Sequence, residues 1–286
     1  VRPMAIRSAF FIAVSAIALM YGTTLSAQRT MNLDADNVDF VLGNFEFALL
    51  HELAHVAIRD LEIPIVGPEE QAADYVAAMS LISPLQIPPV GDENWLGYAM
   101  NAANAFVILW QIAEEAEAML PFWDSHGLSI QRFYSVTCLL YGSDPERFSD
   151  LPEAIAMPEQ RAEGCPDEYS RTRKSIDWLR EYANAENQNA QPAAITLRFE
   201  EPRTRISQLL TEAIRDRGLA EWTLRRFAEL ITVREEIQVV FRQCGMPEAA
   251  WQPDRRELVI CFELLDFYYA LSPMQARIGI VPALRQ

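Results

Sequence analysis

Within the 286-residue chain, His51-Glu52-Leu53-Ala54-His55 has the residue types and spacing of a hydrolytic metal centre. Histidines four apart lie on one helix face, little more than a turn from each other, so both imidazoles reach one ion from the same side. Zinc is the usual occupant of this spacing. Glu52 follows the first histidine, and from there its carboxylate reaches a metal-bound water as general base without itself being a ligand. Because five residues with three fixed positions also occur by chance in unrelated helices, the surroundings must decide. Ala48, Leu49 and Leu50 before the pentad and Val56 and Ala57 after it are uncharged, as a buried helix with one polar edge requires. The chain has three histidines in all, and two stand at ligand spacing in this apolar run, where an unpaired imidazole is costly. Metal binding explains them better than a pair of satisfied core histidines.

A catalytic zinc needs a third protein ligand and an open fourth position. Gly67-Pro68 opens a second predicted helix, in which Glu70 and Asp74 stand four apart on one face. At that spacing one carboxylate binds the metal while the other steadies a ligand histidine. Glu70 is the expected ligand and Asp74 the orienting group, with Glu69, Glu62 or His126 as fallbacks. Glu69 itself reads as a solvated acidic first turn that favours the helix dipole. His126 follows Asp124 by two residues in a loop before a helix. It is a candidate catalytic donor to the oxyanion formed in hydrolysis, beside Arg132 and Tyr134, or else a surface histidine at a helix start.

At these residues the chain resembles a family of bacterial, exported metallopeptidases catalogued as a domain of unknown function. The likeness runs from about Asp39 to the C-terminal region. It takes in the HExxH helix, the paired glutamates with Asp74, and His126-Gly127-Leu128 with Gln131-Arg132-Phe133-Tyr134. It continues through Tyr141-Gly142-Ser143-Asp144-Pro145, Cys165-Pro166-Asp167-Glu168-Tyr169, Cys244-Gly245 and Cys261-Phe262-Glu263-Leu264. The resemblance implies zinc ligands His51, His55 and Glu70, catalytic Glu52 and a gluzincin-like, zincin-like helix pair. Departures fall at Pro68, where a basic residue is common, and at Glu248 and Trp251-Gln252, where Asn and Tyr-Asp are usual. They put the role of the C-terminal hairpin in question and leave the ligands untouched.

At the N-terminus, Arg2 and Arg7 precede an apolar run from Ala9 to Met20, and Ser26-Ala27 follows. Roughly a dozen apolar residues fall short of the ~20 that span a bilayer, so residues 1–27 read as a signal peptide and the protein as exported, periplasmic or extracellular. No stable membrane association is expected after cleavage. Forty acidic residues against 24 basic give a formal net charge of −16, which argues against nucleic-acid or anionic-membrane partners. Export makes disulfides plausible, and the four cysteines are expected to pair as sequence neighbours, Cys138 with Cys165 and Cys244 with Cys261. A four-cysteine metal site is disfavoured by the lack of CxxC spacing.

Periodicity predicts a mainly α protein with a small antiparallel β-sheet, an α+β fold in two lobes. The first, residues 28–186, is the helical zinc-binding lobe. Its helices are expected at Val38 to Leu61, from Glu69, at Trp95 to Leu120, Leu128 to Tyr141 and Asp167 to Tyr182, with a Pro-rich loop at Ser83 to Asn94. Asn184 to Pro192 reads as a linker. The second, residues 187–286, has strands at Ile195 to Phe199 and Ile237 to Arg242, and helices at Ile206 to Arg217 and Leu219 to Ile231. A disulfide-stapled hairpin, Glu248 to Trp251 with Glu257 to Phe262, comes before a short terminal helix. Either Ile237 to Gln243 or Glu257 to Cys261 is a candidate edge for an extended substrate. The chemistry expected is zinc-assisted hydrolysis of a peptide or protein substrate. The alternatives are a catalytically silent zinc scaffold and a zinc hydrolase of non-peptide amides or esters.

Overall fold

The first helix, α1 (Ala35–Asp60), begins where the Asp34 side chain accepts hydrogen bonds from the backbone N–H groups of Asp36 and Asn37. The computed structural model describes residues 33–82, 95–186 and 191–278. The N-terminal apolar run, the Pro-rich loop and part of the expected linker lie outside them. From Phe40 to Val56 nearly every residue of α1 is buried. By length and hydropathy α1 passes for a bilayer span, yet 89% of that window is buried inside the protein, so it serves as the core helix.

Three further helices fix α1: α2 (Glu69–Ile82), α3 (Trp95–Glu115) and, from the C-terminal end, α9 (Phe262–Leu271). At Gly43 a Cβ would lie 2.8 Å from Asn101 Cβ and 2.9 Å from Tyr98 Cα, so a glycine is required where α1 meets α3. Asn44 donates to the carbonyls of Phe40 and Asn101, and Asn101 donates to that of Asp39, so the buried amides lock the same crossing. Between α4 (Ser129–Ser143) and α6 (Glu159–Glu186) the backbones approach so closely that a Cβ on Gly142 would fall 2.2 Å from the Cys165 carbonyl oxygen. The expected Cys138–Cys165 disulfide joins that pair. A short helix, α5 (Leu151–Ala154), lies between them.

Two helices differ from expectation in extent. α3 ends at Glu115 rather than near Leu120, and Glu117 turns the chain at a φ of +46°. α6 runs from Glu159 to Glu186 rather than from Asp167 to Tyr182, and it carries Pro166 inside it.

The class is α+β as expected, but the sheet is mixed rather than antiparallel. Its order is β1-β2-β4-β3, from β1 (Ile195–Phe199), β2 (Ile237–Arg242), β3 (Ala249–Gln252) and β4 (Glu257–Cys261). β1 pairs parallel with β2 and β2 with β4; only β3 and β4 form an antiparallel hairpin. Between β1 and β2, α7 (Arg205–Asp216) and α8 (Leu219–Leu230) return the chain to the starting end, and a crossover of that kind enforces parallel pairing. β2 and β4 are therefore interior, so neither strand expected to offer a substrate edge does so. The edges of the sheet are β1 and β3. The second disulfide, Cys244–Cys261, ties the loop before β3 to the end of β4. One apolar cluster runs from Leu42 and Phe45 of α1 to Val239, Phe241 and Leu258 of the sheet, with the Phe45 and Phe241 rings 5.6 Å apart. The sheet thus packs against α1 together with its helices.

Candidate metal centre

His51 Nε2, His55 Nε2 and Glu70 Oε2 form a triangle with all three sides 3.1 Å long. The histidines come from the buried stretch of α1, and Glu70 from the first turn of α2. Between the helices Gly67, at a φ of +103°, makes the turn that brings the α2 N-terminus back over α1.

Each imidazole is gripped from behind. His51 Nδ1 lies 2.9 Å from Asp74 Oδ1. His55 Nδ1 lies 2.6 Å from Glu69 Oε1, so Glu69 is no solvated first-turn acid. Carboxylates accept, so each Nδ1 donates, and each Nε2 faces the common point. Glu62 stays outside, exposed on the turn after α1 at a φ of +50°.

A further shell holds the carboxylates. Arg132 donates to both Asp74 oxygens, Nε at 2.7 Å and Nη2 at 2.6 Å, while its guanidinium sits 4.1 Å from the centre of the Phe106 ring. Arg132 is thereby committed to Asp74. Arg59 Nε donates to Glu69 Oε1 at 2.7 Å. Tyr134, the other candidate donor, packs edge-on against Phe133.

His126 reaches the cluster from the far loop. Its Nε2 lies 2.9 Å from Glu70 Oε2, and its ring stacks 6.1 Å from that of His51. Asp124 fixes it, accepting from the His126 backbone N–H at 3.0 Å and lying 3.1 Å from Nδ1. Three imidazoles therefore meet one carboxylate oxygen, and the partly exposed His126 (43%) forms the rim on the solvent side.

Proton affinities follow from these contacts. Burial alone would lower the His51 pKa, but hydrogen bonds to Asp74 and Glu70 outweigh it and push the pKa up to about 9. His55 moves the same way: burial opposes, and Glu70 and Glu69 prevail. For Glu70, burial is overcome by hydrogen bonds from His126, His51 and His55, which hold its carboxyl well below the usual range. A proton and a cation therefore compete for the same nitrogens.

Glu52, next to His51, is buried. Burial pushes its carboxyl up, against the pull of His51, His55 and a backbone hydrogen bond. That bond is the Trp251 N–H of β3, which donates to Glu52 Oε2 at 2.7 Å. Nothing in the residue types could have revealed this contact, since a main-chain donor looks alike in every residue but proline.

The donor set fits a metal ion: two imidazoles and a carboxylate, oriented and in mutual contact. Among the described residues a second group, Cys244, Cys261 and Glu263, has ligand types in proximity, but its sulfurs are joined in a disulfide. The sequence profile of a family described as "Putative metallopeptidase" matches residues 11–180 and 199–277, most of the chain. The chain belongs to that family. Neither the curated proteins nor the solved structures include a match. Membership supports a metal-dependent peptidase, and His51, His55 and Glu70 are the residues able to hold the metal.

Proposed function

We propose that this family member is an exported zinc peptidase in which His51, His55 and Glu70 hold one zinc ion and Glu52 is the general base. The observation that carries the reading is the ligand triangle. Zn–N bonds of about 2.0 Å subtend ligand–ligand distances of about 3.3 Å in a tetrahedron, close to the 3.1 Å sides found here. Bound zinc supplies a water acidified to a pKa of about 7 and polarises a carbonyl.

The chain's own groups do the remainder. Glu52, beside the ligand nitrogens and kept from bulk water, accepts a proton from the attacking water and returns it to the leaving amine. Trp251 N–H holds one Glu52 oxygen and leaves Oε1 for that exchange. Asp74 and Glu69 keep the histidine Nε2 atoms aimed at the metal. His126 Nε2, on the rim beside Glu70, donates to the oxyanion that develops as the carbonyl is attacked. Export is supported by Arg2, Arg7 and the apolar run after them, together with two disulfides.

Zinc-loaded Glu52→Gln protein should retain one zinc per chain and lose about 10²- to 10⁴-fold in kcat on a casein-derived peptide pool. Undiminished cleavage by that variant would remove Glu52 from the base role.

A further inference from the structure

We infer that the cavity between α2 and α4 is a subsite for a large uncharged side chain flanking the scissile bond, an assignment that rests on the peptidase reading above. The cavity has a volume of about 480 Å³, within the roughly 300–1,000 Å³ usual for ligand sites. Asp74 and His126 form its wall on the metal side, and each is hydrogen-bonded to a residue of the ligand triangle. A side chain seated in it therefore belongs to a residue whose backbone lies beside the metal centre.

The chemistry of the lining selects the occupant. Its floor includes Ala78, Val136 and Leu139, all buried apolar residues. The charged groups that line it, Asp74, Asp124 and Arg132, already have partners: Asp74 has His51 and Arg132, and Asp124 has His126. A lysine or arginine would have to take Asp124 from His126, and an acidic residue would face both aspartates. An uncharged side chain disturbs none of these pairs and removes apolar surface from water.

The mouth points the same way. Phe122 lines it at 75% exposure, Met119 and Trp123 are exposed on the same loop, and exposed Val66 stands two residues from the lining Pro68. Four of the six exposed large apolar side chains among the described residues thus lie within three residues in sequence of a lining position.

The test uses zinc-loaded protein and quenched fluorescent peptides carrying Phe, Leu, Lys, Asp or Gly at each position flanking the cut. Phe and Leu should exceed Gly by about 10- to 100-fold in kcat/KM at one of the two positions, with Lys and Asp no better than Gly. Ser135→Phe, which fills the cavity from α4, should cut the Phe-to-Gly ratio by about 10-fold or more, and Ser135→Ala should keep it. A ratio near one in the wild type, or a ratio that Ser135→Phe leaves intact with zinc content unchanged, overturns the subsite while the peptidase reading stands. Should no peptide be cleaved, the peptidase reading falls, and binding of N-acetyl-phenylalanine amide decides the cavity by itself. Methyl NMR shifts at Val136 and Leu139 that vanish in Ser135→Phe would sustain it as a side-chain pocket, and absence of those shifts in the wild type would overturn it.

Discussion

Two faces of α1 serve one centre by different means. On the α2 face the contacts run from side chain to side chain: Glu70 meets both histidines, Asp74 grips His51 and Glu69 grips His55. On the β3 face the contact with Glu52 is a main-chain N–H. The first kind of contact depends on residue identity and tolerates little substitution. The second depends on where a strand runs and is indifferent to the side chain it carries. A change of side chain in the hairpin, short of proline, therefore leaves the contact with Glu52 in place.

The α2 face should give the larger effects. Asp74→Asn and Glu69→Gln each replace a charged acceptor behind a histidine, and each should weaken zinc affinity by about 10- to 100-fold in a competition titration with a chromophoric chelator. Asp74→Asn should be the worse of the two, because it also strands the Arg132 guanidinium. Equal, negligible losses would reduce both carboxylates to surface acids.

Across α1, the hairpin contact can be broken without breaking the sheet. Glu248 accepts from Cys261 N–H, so alternate residues of β3 face β4 and the Trp251 N–H faces outward, where proline costs no ladder bond. Trp251→Pro should lower kcat about 10-fold relative to Trp251→Ala, which also loses the buried ring but keeps the N–H. The zinc content of the two should match. Identical kcat values would mean that β3 does not position Glu52.

A smaller effect concerns pH and comes chiefly from the α2 face. The folded-state pKa of His51 stands near 9, above its ordinary value of 6.5, so its contribution to stability is complete below pH 6.5 and is lost as pH rises through about 9. Metal-free protein should therefore lose several degrees of Tm between pH 6.5 and 9. Zinc-loaded protein should not, since the cation takes the place of the proton. A metal-free Tm that is flat or rising across that interval would contradict the assigned contacts of His51.

Much of the α2 face was legible in the sequence because helical spacing is a local property. The pentad, Glu70 and Asp74 all follow from which residues share a helix face. Glu69 was misread, yet a signal for it exists. With α2 antiparallel to α1, Asp74 pairs with His51, and a carboxylate five residues earlier then falls opposite the histidine one turn later, His55. The cysteine pairs were legible from proximity in the chain. The sheet was legible strand by strand but not in its pairing, because residue alternation is the same in parallel and antiparallel ladders and only the α7–α8 crossover decides. The β3 contact had no signature, since a backbone donor nearly 200 residues from its acceptor leaves no mark on composition or spacing.

On the reading proposed above, α1 and α2 together hold one metal ion. A crystal of zinc-soaked protein measured on both sides of the zinc absorption edge tests it directly. A single strong anomalous peak should lie within about 2.0–2.2 Å of His51 Nε2, His55 Nε2 and a Glu70 oxygen. No peak there, or a peak held by Glu69 or Asp74 in place of Glu70, would contradict it.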